Sequence, residues 1–342
     1  MRPSVSDFPR AVRIEVCNFC NARCIMCPIS SMQRKPRIME LELFEKIVSE
    51  LEQQRYDGWV YPYLNGEALL VPNFPDYLRL IRSKAPRAKI VLFSNGSKLT
   101  ERLARILLEG DLLDLLRISF DGGTKEAYES VRRNLSFDEV RKNVHNFIEL
   151  RDRLGKDIPE VTITMVVSPR NRDTIGALED EFRDADDVAV HGLTNWAGQW
   201  EMGETKQDPT LRHKLVTALT RTNYCNELYR PITILVNGDV PLCCVDYEGK
   251  ELLGNVRRNT IAEVWHGERY NKTRDALQNW DFSALPLCSR CTNVRVSLIT
   301  KNPVVQGLKR CVSFYAQKHP RFAAKSDAIS KKIYYYRISK RG

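Results

Sequence analysis

The sequence predicts an α/β protein: six strand–helix units forming a parallel sheet curved as a partial TIM-like (β/α)6 barrel, then a small β-hairpin and helix domain, then a basic helical tail. Three observations support this. From Arg10 to about Gly192, short β-rich runs alternate with amphipathic helical stretches, the pattern of a parallel sheet with crossover helices. Composition shifts at the polar stretch Gly203–Asp208, beyond which cysteines, Gly–Asn turns and short apolar runs dominate. The charge is lopsided as well. Residues 301–342 hold 11 Lys/Arg against the single acid Asp327; removing them from the chain's 53 and 43 leaves 42 of each sign, so the net +10 of this 342-residue chain sits in its tail. The expected domains are 1–200, 201–300 and 301–342.

Strands are expected at Val12–Val16, Gly58–Leu64, Lys89–Ser94, Leu115–Phe120, Val161–Val167 and Val188–His191, and helices at Leu41–Arg55, Phe74–Lys84, Glu101–Glu109, Phe137–Arg153 and Thr174–Arg183. The first helix carries Leu43, Phe44, Ile47, Val48 and Leu51 at helical spacing, a stripe that covers a sheet. In such barrels function gathers in the loops after the strands' C-terminal ends. No apolar run approaches the roughly 20 residues that span a bilayer, and no basic-then-apolar export signal opens the chain. A cytoplasmic location is therefore expected, where ten cysteines point to metal ligation and away from disulfides. A neutral body argues against a protein that coats nucleic acid.

The first of those loops reads Cys17-Asn-Phe-Cys20-Asn-Ala-Arg-Cys24-Ile-Met-Cys27. Three thiolates on one short loop can wrap a soft metal centre. Structural zinc wants four ligands, so Cys20, Cys24 and Cys27 leave a position open, while adding Cys17 gives the alternative of a four-thiolate zinc knuckle. The next loops carry Asn65-Gly66-Glu67, Ser94-Asn95-Gly96 and Ser119-Phe-Asp121-Gly122, with Arg132 following. Gly66 allows close backbone approach and Glu67 offers an acceptor; Arg132 suits a carboxylate. Each tripeptide alone is a plain turn. In this order, each after its own strand, they make a set.

That set resembles the radical S-adenosylmethionine (radical SAM) superfamily. The resemblance implies a 4Fe–4S cluster on Cys20, Cys24 and Cys27 whose open iron binds SAM, and a 5′-deoxyadenosyl radical that abstracts hydrogen from substrate. It further implies that Asn65, Gly66 and Glu67 receive the SAM amino group. Ser94 and Asn95 fall in a loop matching the family's Thr-Asn-Gly, and Ser119 and Arg132, beside Asp121, hold the SAM carboxylate. Two departures are Asn65, where the family has glycine, and Met26, where it usually has an aromatic; SPASM-type members often carry Met there.

Farther on stand Cys225, Cys243, Cys288 and Cys291, four thiolates that close a cluster with no open iron or, alternatively, hold zinc. Ile232–Val236 and Val240–Leu242 around Asn237-Gly238 read as a hairpin, and a helix starting at Thr260–His266 is capped by Asn259 or Thr260. This segment resembles the SPASM/twitch extension of radical SAM enzymes and implies one auxiliary 4Fe–4S cluster, since only Cys311 follows Cys291. Cys244 either exchanges with Cys243 or serves as a hydrogen donor near substrate; Cys17 and Cys311 are expected to be buried or unreactive. Candidate bases are Asp246 and His191. Tyr61, Tyr63, Arg117, Arg170 and Asn171 serve either substrate or packing, and Trp196 and Trp200 form either a wall over the site or a domain anchor. The tail, with an apolar stripe and basic flank over Pro303–His319 and Tyr334–Tyr336 beyond, suits an anionic membrane surface, a nucleic acid, or plain solvent.

The expected function is radical SAM dehydrogenation or epimerisation of a sugar, aminocyclitol or lipid-linked sugar, with flavodoxin or ferredoxin as electron donor. Modification of a ribosomally made peptide is the second reading, lowered because only about ten residues precede the first strand where such enzymes carry a leader-binding domain. A zinc-stabilised nucleic-acid-binding protein is the non-enzymatic alternative.

Overall fold

The computed structural model describes residues 4–199, 225–279 and 281–291. Its framework is a parallel sheet of β1 (Ala11–Ile14), β2 (Trp59–Tyr61), β3 (Lys89–Ser94), β4 (Leu115–Ser119), β5 (Glu160–Val166) and β6 (Asp187–His191). These lie side by side in chain order, each parallel to the next. Every expected strand is present. The expected helices are present as α1 (Leu41–Gln53), α2 (Phe74–Lys84), α3 (Glu101–Glu109), α5 (Phe137–Arg153) and α6 (Ile175–Glu181). The stripe of α1 is buried throughout. An unexpected helix, α4 (Lys125–Val131), is N-capped by the Thr124 hydroxyl, which accepts from the Ala127 N–H; seven residues are too few for helical periodicity to declare itself.

The second domain departs from expectation in one respect. Ile232–Val236 does not pair with Val240–Leu242. Instead β7 (Pro231–Ile234) joins the main sheet, parallel to β1 at its outer edge. All four of its side chains are buried, as in a strand covered on both faces. A turn at Leu235–Asp239, with Gly238 at φ 88°, then delivers β8 (Asp239–Pro241) to antiparallel pairing with β9 (Leu252–Asn255). The hairpin signal was real, but its partner strand lies farther on.

Helices α7 (Ile261–Trp265), α8 (Glu268–Asn279) and α9 (Pro286–Arg290) complete the described residues. Thr260 caps α7 through a reciprocal box with Glu263. A second carboxylate reaches the same helix end from the barrel: Glu50 of α1, almost fully buried, accepts from Ile261 N at 2.7 Å and Ala262 N at 2.9 Å. Among the described residues no helix is long and apolar enough to cross a membrane. The proposed boundary Gly203–Asp208, Trp200, Cys311 and the basic tail lie outside the described residues.

Glu50 thus ties the first barrel helix to the second domain. Replacing Glu50→Ala strips two buried N–H groups of their acceptor, and chemical denaturation should show a loss of about 1–3 kcal/mol; Glu50→Gln should recover part of it.

Candidate active site

The cysteine loop is clamped at both ends. At its start Cys17 bridges Ile38, and the Asn18 carboxamide accepts from Arg37 N at 2.6 Å and donates to Lys35 O at 2.9 Å. At its middle Arg23–Cys24 pairs antiparallel with Arg132–Arg133, and Ile25 N–H donates to Val131 O. From the loop so held, Cys20, Cys24 and Cys27 open into one cavity of about 230 Å³. The loops after β2, β3 and β4 reach the same cavity with Asn65, Gly66 and Glu67, with Ser94 and Asn95, and with Ser119, while Arg132 comes from the end of α4.

Burial pushes the Cys20 thiol up to about 11 and that of Cys27 to about 12, and raises Cys24 as well. The bare thiols are therefore protonated at neutral pH, and a metal centre that takes them as thiolates must displace those protons. Among the described residues no three His, Cys, Asp or Glu side chains converge closely enough to hold one metal ion. Three cysteine sulfurs lining one cavity are soft donors of the kind an iron–sulfur cluster takes.

Glu67 knits two of the loops together. Its Oε1 accepts from Ser94 Oγ at 2.9 Å and Leu69 N at 3.2 Å, and its Oε2 from Asn95 N at 2.7 Å. Burial raises its pKa, against which these donors act. Three bonds leave a carboxylate able to accept one more. Gly66 is obligatory for a steric reason: a Cβ there would lie 2.4 Å from Cys17 O and 2.8 Å from its Sγ. Cys17 itself is buried, its Sγ 3.3 Å from Glu67 O, and burial lifts its thiol to about 12. It is absent from the cavity wall and serves as packing for the Gly66–Glu67 loop.

Asn65 turns its carboxamide to Glu15 (2.8 Å). That carboxylate is completely buried at the end of β1, where it also takes both terminal nitrogens of Arg34 at 2.6 Å and Val236 N at 3.0 Å. Sequence reasoning missed Glu15; nothing in an alternating Val-Arg-Ile-Glu-Val strand marks one carboxylate as inward and paired. Asn95 donates to Asn21 Oδ1 at 3.0 Å, while Asn21 donates to Ser97 Oγ at 2.9 Å, which pins the loop beside Cys20. Asp121 is fully buried and positions Arg132: its Oδ2 accepts from Arg132 Nε at 2.5 Å and its Oδ1 from Val166 N at 2.6 Å. Asn171 is likewise structural, buried and donating to Asp121 O and Val166 O, whereas Arg170 is exposed.

The remaining wall is aromatic. Tyr63 lines the cavity and stacks on Phe93 at 4.9 Å; Tyr61 packs against Tyr63, and the buried Arg117 lies over Phe93. Trp196 plays both roles foreseen for it. It lines the cavity and donates from Nε1 to Met26 O at 2.9 Å, while its ring meets Tyr247 of the second domain edge-on. Trp196 and the next residue, Ala197, hold left-handed backbone at φ 48° and 56°, which non-glycine residues adopt only when contacts enforce it.

Of the second set of thiols, Cys225 lies within electrostatic reach of Cys243, Cys288 and Cys291. Burial carries Cys225 and Cys243 far up and Cys288 to about 12; Cys288 and Cys291 add to the shift of Cys225, and Cys225 to that of Cys243. Among the described residues no cysteine is in a disulfide. The structure places two of the sequence candidates away from the cavity. Cys244 does not reach the cavity; its Sγ lies 3.5 Å from Glu227 Oε2, and Glu227 is in turn ion-paired with Arg13 of β1. Asp246 does not reach it either: the carboxylate is buried and accepts from Lys250 N at 2.9 Å and Glu251 N at 3.0 Å, closing a turn. Neither geometry suits a group that meets substrate. His191 lies in register with Val166, a cavity-lining residue, so the two side chains share a face. Burial, with Arg117 nearby, lowers the His191 pKa.

Comparison with known proteins agrees with this geometry. The profile of the radical SAM superfamily matches residues 14–181, and that of the SPASM iron–sulfur cluster-binding domain matches residues 225–292. The S-adenosyl-L-methionine-dependent 2-deoxy-scyllo-inosamine dehydrogenase of Niallia circulans is 22% identical over 286 residues, spanning 83% of this chain and 93% of that enzyme. The mycofactocin maturase MftC of Mycolicibacterium smegmatis is 28% identical over 177 residues, spanning 52% of this chain and 41% of the maturase. Among solved structures, BtrN in complex with AdoMet and 2-DOIA shares the fold, with a TM-score of 0.55 at 19% identity over 83% of this chain and 93% of that one.

Gly66→Ala should push the Cys17 and Glu67 loops apart, with a destabilisation of about 1–3 kcal/mol typical of overpacking. Thermal unfolding of the purified protein would measure it, with Gly110→Ala, whose Cβ meets only Leu112 side-chain atoms and the Ile106 carbonyl at 3.0 Å or more, as the milder control.

Proposed function

The chain belongs to the radical SAM superfamily and carries its SPASM iron–sulfur domain, and we propose that it dehydrogenates a polyol of the sugar or aminocyclitol type. The observation that carries this reading is sequence similarity to an inosamine dehydrogenase over 83% of this chain and 93% of that enzyme, where the similarity to the mycofactocin maturase covers 52% and 41%.

In this reading Cys20, Cys24 and Cys27 hold the first 4Fe–4S cluster, and Cys225, Cys243, Cys288 and Cys291 hold a single auxiliary one. Bound together there, the first cluster and SAM would supply radical chemistry able to remove a hydrogen atom from a substrate carbon. The protein's own work is positioning. Glu67, with one acceptor site left and Gly66 beside it, receives the SAM ammonium, and Asn65 keeps that loop in place through Glu15. Ser94 and Asn95 brace Glu67. Ser119 and Arg132 receive the SAM carboxylate, with Asp121 holding the guanidinium in place. Tyr63 and Trp196 wall the cavity and limit access of water.

Oxidising an alcohol carbon also requires that its hydroxyl proton leave and that one further electron depart, which the auxiliary cluster would accept. His191 is the group we assign to accept the proton. It shares the inner face with Val166, and its lowered pKa keeps the imidazole neutral at pH 7, the form that can take a proton. Flavodoxin or ferredoxin is the electron donor in this scheme. A cytoplasmic location accords with this reading.

Reduced, reconstituted protein given SAM and carbon-deuterated aminocyclitols should place deuterium in 5′-deoxyadenosine, and Cys24→Ala should abolish it. Deuterium transfer from a short peptide but from no polyol would transfer the assignment to peptide modification. For His191, activity should fall on the acid side as the imidazole protonates, below the ordinary histidine value of about 6.5, and stay level above it. His191→Asn should lower turnover by about 10²–10⁴-fold and remove that acid limb while SAM cleavage without substrate persists. A variant that keeps the limb would exonerate His191.

A further inference from the structure

Outside the cavity, the cysteine loop's return strand meets the turn after β7 in a cleft of about 200 Å³ lined by Asn18, Arg34, Lys35, Arg37, Val236 and Asn237. The cleft gathers three cations, Arg34, Lys35 and Arg37, in a body whose 42 basic and 42 acidic residues before position 301 balance. Its charges are unequal in character. Arg34 is consumed by Glu15. Lys35 and Arg37 are exposed, and among the described residues neither has an acidic side chain within ion-pair distance. Arg257 extends the patch, donating to Asn237 O, and shares Glu40 as its partner. Of the other carboxylates close by, Asp239 is taken up by Asn237 and Asn255, and Glu248 accepts from Gln33 N at 2.8 Å.

The backbone of this patch is bonded directly to the loop that would carry the first cluster. Asn18, two residues before Cys20, donates its amide N–H to Arg37 O at 3.2 Å, and its carboxamide bonds Arg37 N and Lys35 O. A carrier seated on Lys35 and Arg37 therefore lies on the outer side of the cysteine loop, and the covalent and hydrogen-bonded path from it to Cys20 is short. The cavity side, by contrast, is given over to SAM and substrate.

We infer that the Lys35–Arg37 cleft is the docking surface for a small acidic one-electron carrier protein, which charges the first cluster from behind while the cavity stays occupied. This rests on the radical SAM reading, because only a reducible cluster needs such a partner. Charge complementarity of this kind acts mainly on association rate, and it weakens with salt.

The test uses the reconstituted holoprotein under anaerobic conditions and the Lys35→Glu/Arg37→Glu double variant. Bleaching of the cluster absorbance is followed in stopped flow with flavodoxin hydroquinone and, separately, with photoreduced 5-deazariboflavin as a small uncharged reductant. The variant should react with flavodoxin slower by on the order of tenfold at low salt, lose most of the salt dependence, and react with deazaflavin at the wild-type rate. Iron content equal to wild type guards against a folding defect, and Lys35→Gln/Arg37→Gln should fall between. An unchanged flavodoxin rate, or an equal fall with both reductants, overturns the docking surface alone. Failure of the wild-type protein to hold a reducible cluster overturns it together with the reading beneath it.

Discussion

The Glu15 carboxylate is the constraint on which the site depends. It is wholly buried and takes four donors: two from Arg34, one from Asn65 and one from Val236. Those donors come from the return of the cysteine loop, the loop after β2 and the turn after β7, so one anion fixes three segments far apart in sequence. Arg34 passes the constraint on, donating from Nε to Tyr247 O in the second domain. A buried ion pair earns little net stability against a hydrophobic replacement, yet removing one partner leaves the other charge stranded. Its role here is to select one arrangement of loops.

Around that hub the two sets of thiols share scaffolding. Trp196 hydrogen-bonds the first loop at Met26 and packs on Tyr247, while Gln199 donates to Val245 O close to Cys243 and Cys244. Arg13 on β1 holds Glu227, which in turn meets Cys244. The parallel pairing of β7 with β1 explains why: the second domain begins as a strand of the first sheet.

Much of this was legible in the sequence because it is local. The six strands and five helices announce themselves by periodicity, and Cys20, Cys24 and Cys27 by spacing on one loop. The tripeptides Asn65-Gly66-Glu67, Ser94-Asn95-Gly96 and Ser119-Phe-Asp121 gain meaning only from their order along the chain, and the fold brings them to one cavity. What escaped depends on distant partners. The assignment of β7 to the main sheet, the inward charge of Glu15, and the diversion of Asp246 into a turn are set by tertiary neighbours that no short window contains. Cys17 sits between these cases: its sulfur looks like a fourth ligand by spacing and proves to be a spacer against Gly66.

The protonated state of the cysteine loop has a consequence for the life of the empty chain. Oxidants attack the thiolate, not the thiol, and Cys20 and Cys27 in this setting hold their protons well past neutrality. Burial thus keeps these sulfurs in the thiol form, which oxidants attack far more slowly than the thiolate.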